Sequence, residues 1–228
     1  INNLLSPIFS AGFYYKTFMG PKGFWKNVYE PLIRRTAGLG KPPREFKSKS
    51  IHLHHNVDVL IVGGGLAGLL AAKKLAGTDQ DVLLIERDDN LGGILKNSNK
   101  IKSIDGQKSE DWVEKIEWLL KSTNNIKILK NTTVTTYNYK DHLIAVEDRS
   151  VGTPPDNNKP ELVMHKIRTK HTVLANGHIE RFLSFRNNDL PGVMLAASFE
   201  KYIHRYGVVA DKSPVIFTNN SSTFSLIK

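Results

Sequence analysis

Hydrophobic and polar positions change their period along the chain, and the changes predict an α/β fold. Two continuous apolar runs, at 57–62 and 81–86, are typical of parallel strands buried on both faces. The segment between them, LAGLLAAKKLA at 66–76, has the composition of a helix and ends at Gly77. The three segments predict one βαβ unit of about 30 residues.

An amphipathic helix is predicted at 109–123, where apolar side chains recur on one face and Ser109 can cap the first turn. The spacing of the runs that follow predicts a small antiparallel meander. Its strands are NTTVTTYNY, HLIAVEDR and LVMHKIRT. Beyond the meander we predict a separate buried strand in HTVLANG, a helix at 195–207 and a last strand that opens SPVIFTNNSS.

Glycines and prolines divide the chain into three predicted regions. Residues 1–55 are expected to form an irregular N-terminal arm or connector, with one short helix in VYEPLIRRTAG. Residues 56–210 are the predicted dinucleotide-binding domain, and 211–228 begin a second, truncated nucleotide-binding-like domain. The sequence starts at Ile1 and ends soon after an apolar run, so we expect a fragment of a longer protein.

The amino-acid composition limits the kinds of site that the chain can form. Hydrophobic residues make up 40% of the 228 residues, and there is no cysteine, which excludes disulfides, thiolate metal sites and iron–sulfur ligation. No apolar run reaches the roughly 20 residues that span a bilayer, so we predict no membrane contact. The absence of cysteine fits a cytosolic chain better than a small secreted one, and we predict a cytoplasmic location. The net charge of +10 could attract nucleic acid or an acidic partner. Because no RNA-binding motif accompanies it, we expect a solvated basic surface and no nucleic-acid partner.

A glycine fingerprint joins the first predicted strand to its helix. Gly63 allows the tight turn, Gly65 lets backbone approach a pyrophosphate, and Gly68 lets helix and strand pack closely. The start of the helix offers free N–H groups and a partial positive charge to phosphates. The predicted phosphate-binding residues are Gly63, Gly64, Gly65, Leu66, Ala67 and Gly68.

Residues after the second strand extend this site. Glu86 lies 18 residues past Gly68, close to the spacing expected of a carboxylate on the adenosine ribose hydroxyls, and it would repel the 2′-phosphate of NADP. Arg87 is predicted to contact phosphate or to face water. Gly93, in LGG, is predicted to let a loop pass close to the diphosphate or to form an ordinary turn. These residues indicate an ADP moiety and leave NAD and FAD equally admissible.

No metal site and no catalytic set are predicted. The histidines of HLHH, at 52–55, have no cysteine beside them and are interpreted as an exposed turn before the strand. The run ERFLSFRNNDLPG holds charged residues but no nucleophile–base pair. Catalytic residues stay unassigned, because hydride and flavin chemistry would belong to a cofactor.

Three stretches together resemble one family. They are GFYYKTFMGPKGFWKNVYEPLIRRTAGLGKPP, the fingerprint region, and VLANGHIERFLSFRNNDLPGVMLAASFEKYIHRYGV through VIFTNN. Nearly end to end the chain is similar to the α subunit of heterotetrameric sarcosine oxidase, with related α subunits in amine and imino-acid dehydrogenases and opine oxidases. The resemblance implies a flavin-dependent complex that oxidises sarcosine (N-methylglycine) to glycine.

In such a complex the amine is oxidised at FAD on a β subunit, and smaller subunits complete the hetero-oligomer. The α subunit binds NAD and contributes to an FMN site at the interface. The resemblance therefore implies an oxidoreductase acting on CH–NH donors, with the catalytic amine site on another subunit.

The fold implied is a Rossmann-like FAD/NAD(P)-binding domain with an inserted antiparallel β-meander, of the two-dinucleotide-domain type and truncated. Ala175, Asn176 and Gly177 stand where this fold carries an ATG-like motif beside the cofactor, with Asn in place of Thr. The resemblance also implies that Val134 meets adenine through its backbone.

A second fingerprint is expected after VIF in this fold. Thr218, Asn219, Asn220 and Ser221 occupy its place, and their side chains should hinder the approach of a pyrophosphate. We therefore expect one dinucleotide on this chain, at Gly63–Gly68.

The predicted function is the NAD-binding portion of a sarcosine-oxidase-like α subunit. An FAD-dependent NAD(P)H oxidoreductase is the alternative within the same class. A non-catalytic nucleotide-binding scaffold subunit is the alternative from another class.

Overall fold

The computed structural model describes residues 21–38, 50–138, 141–151, 161–209, 213–221, 223 and 226. The chain divides into two compact units, Ile1–Lys47 and Ser48–Lys228. In the first unit a π-helical turn, Trp25–Tyr29, runs into helix α1, Glu30–Thr36. Pro31 lies in the first turn of α1, where its missing N–H costs nothing, and Gly38 adopts a left-handed φ of 67° beyond its end. The short helix predicted there is confirmed.

The second unit is built on one six-stranded sheet with the order β5-β2-β1-β8-β7-β6. Strands β5, β2, β1 and β8 run parallel, whereas β7 is antiparallel to both β8 and β6. The strands are β1 Ser50–Val62, β2 Val82–Ile85, β5 Ile126–Leu129, β6 Thr132–Asn138, β7 His142–Asp148 and β8 Leu162–Leu174. A two-stranded ribbon is formed by β3 Ser103–Ile104 and β4 Gln107–Lys108.

Helices connect these strands. They are α2 Leu66–Leu75, α3 Ile94–Asn97, α4 Ser109–Ser122 and α5 Ala196–Tyr206. The predicted βαβ unit is confirmed, since β1 and β2 pair in parallel from Val59↔Val82 to Val62↔Ile85 with α2 between them. Helix α5 ends at Gly207, which takes a left-handed φ of 64°, as its sequence predicts.

Apolar side chains fill both faces of the sheet. One cluster joins Ile61 and Leu84 to Leu69 of α2 and to Trp112 and Leu120 of α4. The cluster on the opposite face contains Leu60, Leu83, Ile85, Leu143, Ala145 and Ile167. Burial on both faces explains why 57–62 and 81–86 are apolar without alternation.

Two predictions about strands are wrong. LVMHKIRT and HTVLANG belong to one 13-residue strand, β8, because β1 is equally long and pairs with it from Ser50↔Leu162 to Val62↔Leu174. HLHH lies within β1 rather than in a turn before it. The strand begins at Ser50, while the predicted domain boundaries at 55/56 and 210/211 stay predictions.

The last predicted strand is also absent from the described residues 213–221, which pair with none of the strands above. The Val215 side chain there is 95% exposed, so the apolar run gains no burial from a neighbouring strand. The antiparallel meander is confirmed as β6, β7 and β8, with a bulge between Val134 and Thr136. No helix in the described part of the chain is long and apolar enough to cross a membrane.

Candidate dinucleotide site

The three fingerprint glycines lie at the carboxyl end of β1, and each meets a different constraint. Gly63 has a φ of 104°, and a Cβ there would collide with the carbonyl oxygen of Ala175. A Cβ on Gly68 would collide with the carbonyl oxygen of Gly63, so helix and strand touch through backbone. Around the Cβ position of Gly65, no described residue beyond its chain neighbours and its own helix backbone has an atom within 4 Å. The open position is the one predicted to face phosphate.

Helix α2 begins directly at this opening. Gly65 is its N-cap, with an extended backbone (φ −75°, ψ −171°), and the N–H of Leu69 donates to the carbonyl of Gly65 at 2.9 Å. The N–H groups of a first helical turn have no acceptor within the helix, which leaves that of Ala67 for an anion, while Gly65 pairs with Gly92 in an isolated parallel bridge.

Glu86 reaches the glycine loop, as predicted. Its Oε2 accepts a hydrogen bond from the N–H of Gly64 at 2.6 Å, and its Oε1 accepts one from the N–H of Asp88 at 2.8 Å. Each carboxylate oxygen has a second lone pair, so these bonds leave acceptor capacity for ribose hydroxyls. The carboxylate therefore lies beside the loop, and its contact with a ribose stays a prediction.

The LGG segment packs on the fingerprint. The N–H of Gly92 donates to the carbonyl of Gly64 at 2.8 Å, and a Cβ on Gly93 would lie 3.2 Å from the Cα of Gly65. Leu91 is buried, and its Cδ2 lies 2.5 Å from the Cβ position of Gly64. The structure thus brings Gly93 to the site and adds Leu91 and Gly92, whose roles the motif spacing did not reveal.

The ATG-like segment meets the same loop. The N–H of Ala175 donates to the carbonyl of Val62 at 2.8 Å, and the Asn176 nitrogen lies 3.1 Å from the Cβ position of Gly63. Gly177 follows with a φ of 69°. These backbones close one side of the turn, as the resemblance implied.

Two predicted site residues, Arg87 and Val134, have no contact with the glycine loop among those described above. The Arg87 side chain is 69% exposed, with Nε 3.9 Å from Asp88 Oδ1, which fits the water-facing alternative. Val134 lies in β6, which starts beside Glu86 because the N–H of Thr132 donates to the Glu86 carbonyl at 2.9 Å. Its contact with adenine stays a prediction.

At the place of the second fingerprint the side chains bond to their own backbone. The Thr218 hydroxyl donates to the carbonyl of Asn220 at 2.8 Å and accepts from the N–H of Asn220 at 3.2 Å. Side chains therefore occupy the turn where a phosphate loop would expose backbone.

Sequence reasoning missed an ionic cluster behind the site. Arg205 and Lys201 of α5 contact Asp88, and Arg205 also contacts Asp89. Together with Leu91 and Gly93, Asp88 and Arg205 line a cavity of about 230 Å³. The partners lie 113 and 117 residues apart in sequence, so local spacing carries no signal for them.

No group of histidines and carboxylates in the described ranges is arranged to hold a metal ion. His55 instead bonds His165, with Nε2 and Nδ1 2.8 Å apart, and His165 Nε2 lies 3.0 Å from Glu147 Oε2. These three side chains link β1, β8 and β7.

Residues 57–215 match the family described as pyridine nucleotide-disulphide oxidoreductase. The chain belongs to this family. Membership implies a site for FAD, NAD(P) or both, on an oxidoreductase with a Rossmann-like fold. The family name includes a disulfide, but this chain has no cysteine to supply a redox dithiol.

Within the family the chain is similar to sarcosine oxidase subunit alpha, and the predicted resemblance is confirmed. It is 36% identical to that of Rhizobium meliloti (strain 1021) over 233 residues, which cover 99% of this chain and 23% of the relative. It is 33% identical to that of Corynebacterium sp. (strain U-96) over 195 residues, covering 84% and 20%. The chain thus spans less than a quarter of the length of these relatives.

Among solved structures of the family's fold, L-proline dehydrogenase from P. horikoshii is similar, with a TM-score of 0.55 and 26% identity. The match covers 75% of this chain and 32% of that one.

Proposed function

We propose that the loop Gly63–Gly68 holds the ADP half of one NAD molecule, and that the chain is the NAD-binding portion of a sarcosine-oxidase-like α subunit. The observation that carries the proposal is the empty space at Gly65. Gly65 is the N-cap of α2, and the N–H of neighbouring Gly64 donates to the Glu86 carboxylate. The loop and Glu86 would thus supply backbone donors to phosphate and an acceptor to ribose.

The residues present fit an adenine dinucleotide. Gly65 leaves room for phosphate, the first turn of α2 supplies N–H donors, and Glu86 keeps free lone pairs. The bound dinucleotide would supply the hydride or electron chemistry, while the chain's residues bind and orient it. The Glu86 charge favours a free ribose 2′-hydroxyl over a 2′-phosphate, which supports NAD or FAD over NADP.

NAD is proposed over FAD because of the similarity to sarcosine oxidase subunit alpha. The same similarity supports a hetero-oligomer in which a flavin-containing β subunit, with FAD and an FMN at the interface, oxidises sarcosine or a related CH–NH donor. We place the amine site on that partner and the complex in the cytoplasm. The domain division at 55/56 and 210/211 belongs to the same proposal.

The test is to denature the intact purified protein and identify the released nucleotide by mass spectrometry. Release of NAD from a chain without flavin absorbance is the expected result. A yellow chain that releases FAD would instead support the FAD-dependent NAD(P)H oxidoreductase. Absence of any adenine nucleotide, together with no binding of added NAD or FAD, would contradict both and favour a scaffold subunit.

A further inference from the structure

We propose that Arg205, assisted by Lys201, is a positioning residue for the adenosine ribose: it anchors Asp88 and thereby orients Glu86 against the glycine loop. The inference rests on the proposed role of Glu86 in nucleotide binding. It assigns a function to helix α5.

The contact between Arg205 and the loop after β2 is a fork. Nη1 of Arg205 donates to Asp88 Oδ2 at 2.7 Å, and Nη2 donates to Asp89 Oδ1. Lys201, one turn earlier on α5, places Nζ 3.4 Å from the same oxygen of Asp88. The guanidinium is planar and presents its donors in a fixed geometry, so it fixes the direction of the loop as well as its distance.

The ion pairs of this cluster are partly shielded from solvent. The Arg205 and Asp88 side chains are 18% and 22% exposed, unlike a surface pair between two freely moving side chains. Burial raises the pKa of Asp88, but the hydrogen bonds and charges of Arg205 and Lys201 outweigh it and hold that pKa below its ordinary value. Asp88 is therefore ionised at neutral pH and stays paired with the helix.

Asp88 transmits this anchoring through its backbone. Its N–H donates to Glu86 Oε1 at 2.8 Å, and its carbonyl accepts from the N–H of Asn131 at 3.2 Å. The other oxygen of Glu86 accepts from the N–H of Gly64 at 2.6 Å. One line of contacts thus runs from α5 through Asp88 and Glu86 to the phosphate loop.

A second ion pair holds α5 to the segment between α3 and β3. Lys100 Nζ lies 3.4 Å from Glu200 Oε2, and the Glu200 side chain is 4% exposed. Because this contact remains when Arg205 is replaced, the helix should stay docked. Loss of Arg205 should then act on the loop rather than on the fold.

The first arm of the test needs no nucleotide. Amide hydrogen exchange is measured on the intact protein and on R205A, R205K and H204A, the last being an exposed position on the same helix. We expect R205A to speed exchange at the Gly64 and Asp88 amides about tenfold, R205K to restore part of the protection, and H204A to change nothing. Unchanged exchange in R205A would overturn the inference.

The second arm measures the affinity for ADP, the half that NAD and FAD share, and for 2′,3′-dideoxy-ADP, which lacks the ribose hydroxyls. We expect R205A to weaken ADP binding about tenfold while dideoxy-ADP binding changes less than about twofold. In an E86A background, R205A should have no further effect on ADP. Equal losses for both ligands would assign Arg205 a general electrostatic role and overturn the inference. A wild-type protein that binds neither ligand would refute the proposed function, and the inference would fall with it.

Discussion

At the scale of single residues, the fingerprint glycines are required for different physical reasons. Gly63 and Gly68 are small because protein backbone lies where their side chains would project. Gly65 has an ordinary backbone conformation and open space beside it, so nothing in the protein itself requires glycine there. We predict that a ligand explains its absent side chain, which would separate function from fold at one position.

Gly65→Asn tests that separation. Asn is a favourable N-cap, so we expect the free energy of unfolding to change by less than about 0.5 kcal/mol. Its side chain would occupy the phosphate position, and nucleotide affinity should fall at least about tenfold, or about 1.4 kcal/mol. Titration calorimetry and urea denaturation measure the two quantities.

Gly77→Asn is the matched control for this variant. Gly77 follows the other end of α2 with a φ of 76°, a conformation that Asn tolerates, and nothing lies within 4 Å of its Cβ position. We expect Gly77→Asn to bind the nucleotide with wild-type affinity. Wild-type affinity in Gly65→Asn as well would refute the phosphate role of the loop.

Gly68→Ala should lower the stability of the fold, unlike Gly65→Asn. The added methyl group would overlap the carbonyl oxygen of Gly63, so α2 must move away from β1. We expect a loss of about 2 kcal/mol in the free energy of unfolding, measured by urea denaturation without ligand. Gly65→Ala, where the methyl group meets open space, should cost less. An equal cost at both positions would contradict the packing role assigned to Gly68.

At the scale of elements, the two apolar strands of the βαβ unit are predicted from the sequence. The short strands β3, β4 and β5 and the full length of β1 and β8 are not. The runs 57–62 and 81–86 are recognisable because burial on both faces makes the consecutive positions 59–62 and 82–85 apolar. The outer half of β1 contains HLHH, and β8 contains Lys166, Arg168 and Lys170. These polar residues interrupt the apolar pattern of both strands. These strands continue because they pair with each other over their full length, a contact between segments more than 100 residues apart.

The histidine pair explains how polar residues are accommodated in that outer half. Because His55 bonds buried His165 and His165 bonds Glu147, the polar atoms are paired between strands. Burial, followed by the charges of Lys127, His165 and His54, lowers the pKa of His55 from its ordinary 6.5. Burial raises the pKa of Glu147, but Arg149 and His165 outweigh it and the pKa is lowered from 4.5.

These shifts predict that acid weakens the sheet. A lowered pKa means that the unfolded chain binds more protons, so stability falls as the pH drops below 6.5 through the folded pKa of His55. Glu147 adds a second loss below pH 4.5. We expect a lower urea midpoint at pH 5.5 than at pH 7.5, and a smaller difference in His55→Asn. His178→Asn, an exposed position, is the control, and an equal pH dependence in His55→Asn would contradict the assignment.

At the scale of the whole molecule, motif spacing predicts the phosphate loop and the position of Glu86. It does not predict the segments that pack around them. The fingerprint, its helix and the acid at the end of β2 follow one another within 30 residues, so their proximity can be predicted. The contacts from Ala175 to Gly63 and from Arg205 to Asp88 join distant segments. They depend on how β8 and α5 return to the first βαβ unit, which local patterns do not encode.

Truncation of the N-terminus tests where the folding unit begins. Both apolar clusters draw on residues between Val57 and Val173, so removal of residues 1–47 should leave the cooperative unfolding of the remainder intact. Removal of residues 1–56 deletes the pairing from Ser50↔Leu162 to Asn56↔Arg168 and the bond between His55 and His165. We expect the shorter protein to unfold at a urea concentration at least about 1 M lower, with one edge of β8 unpaired. Equal midpoints would place the start of the domain at residue 57 or later and would show that the outer half of β1 contributes nothing to stability.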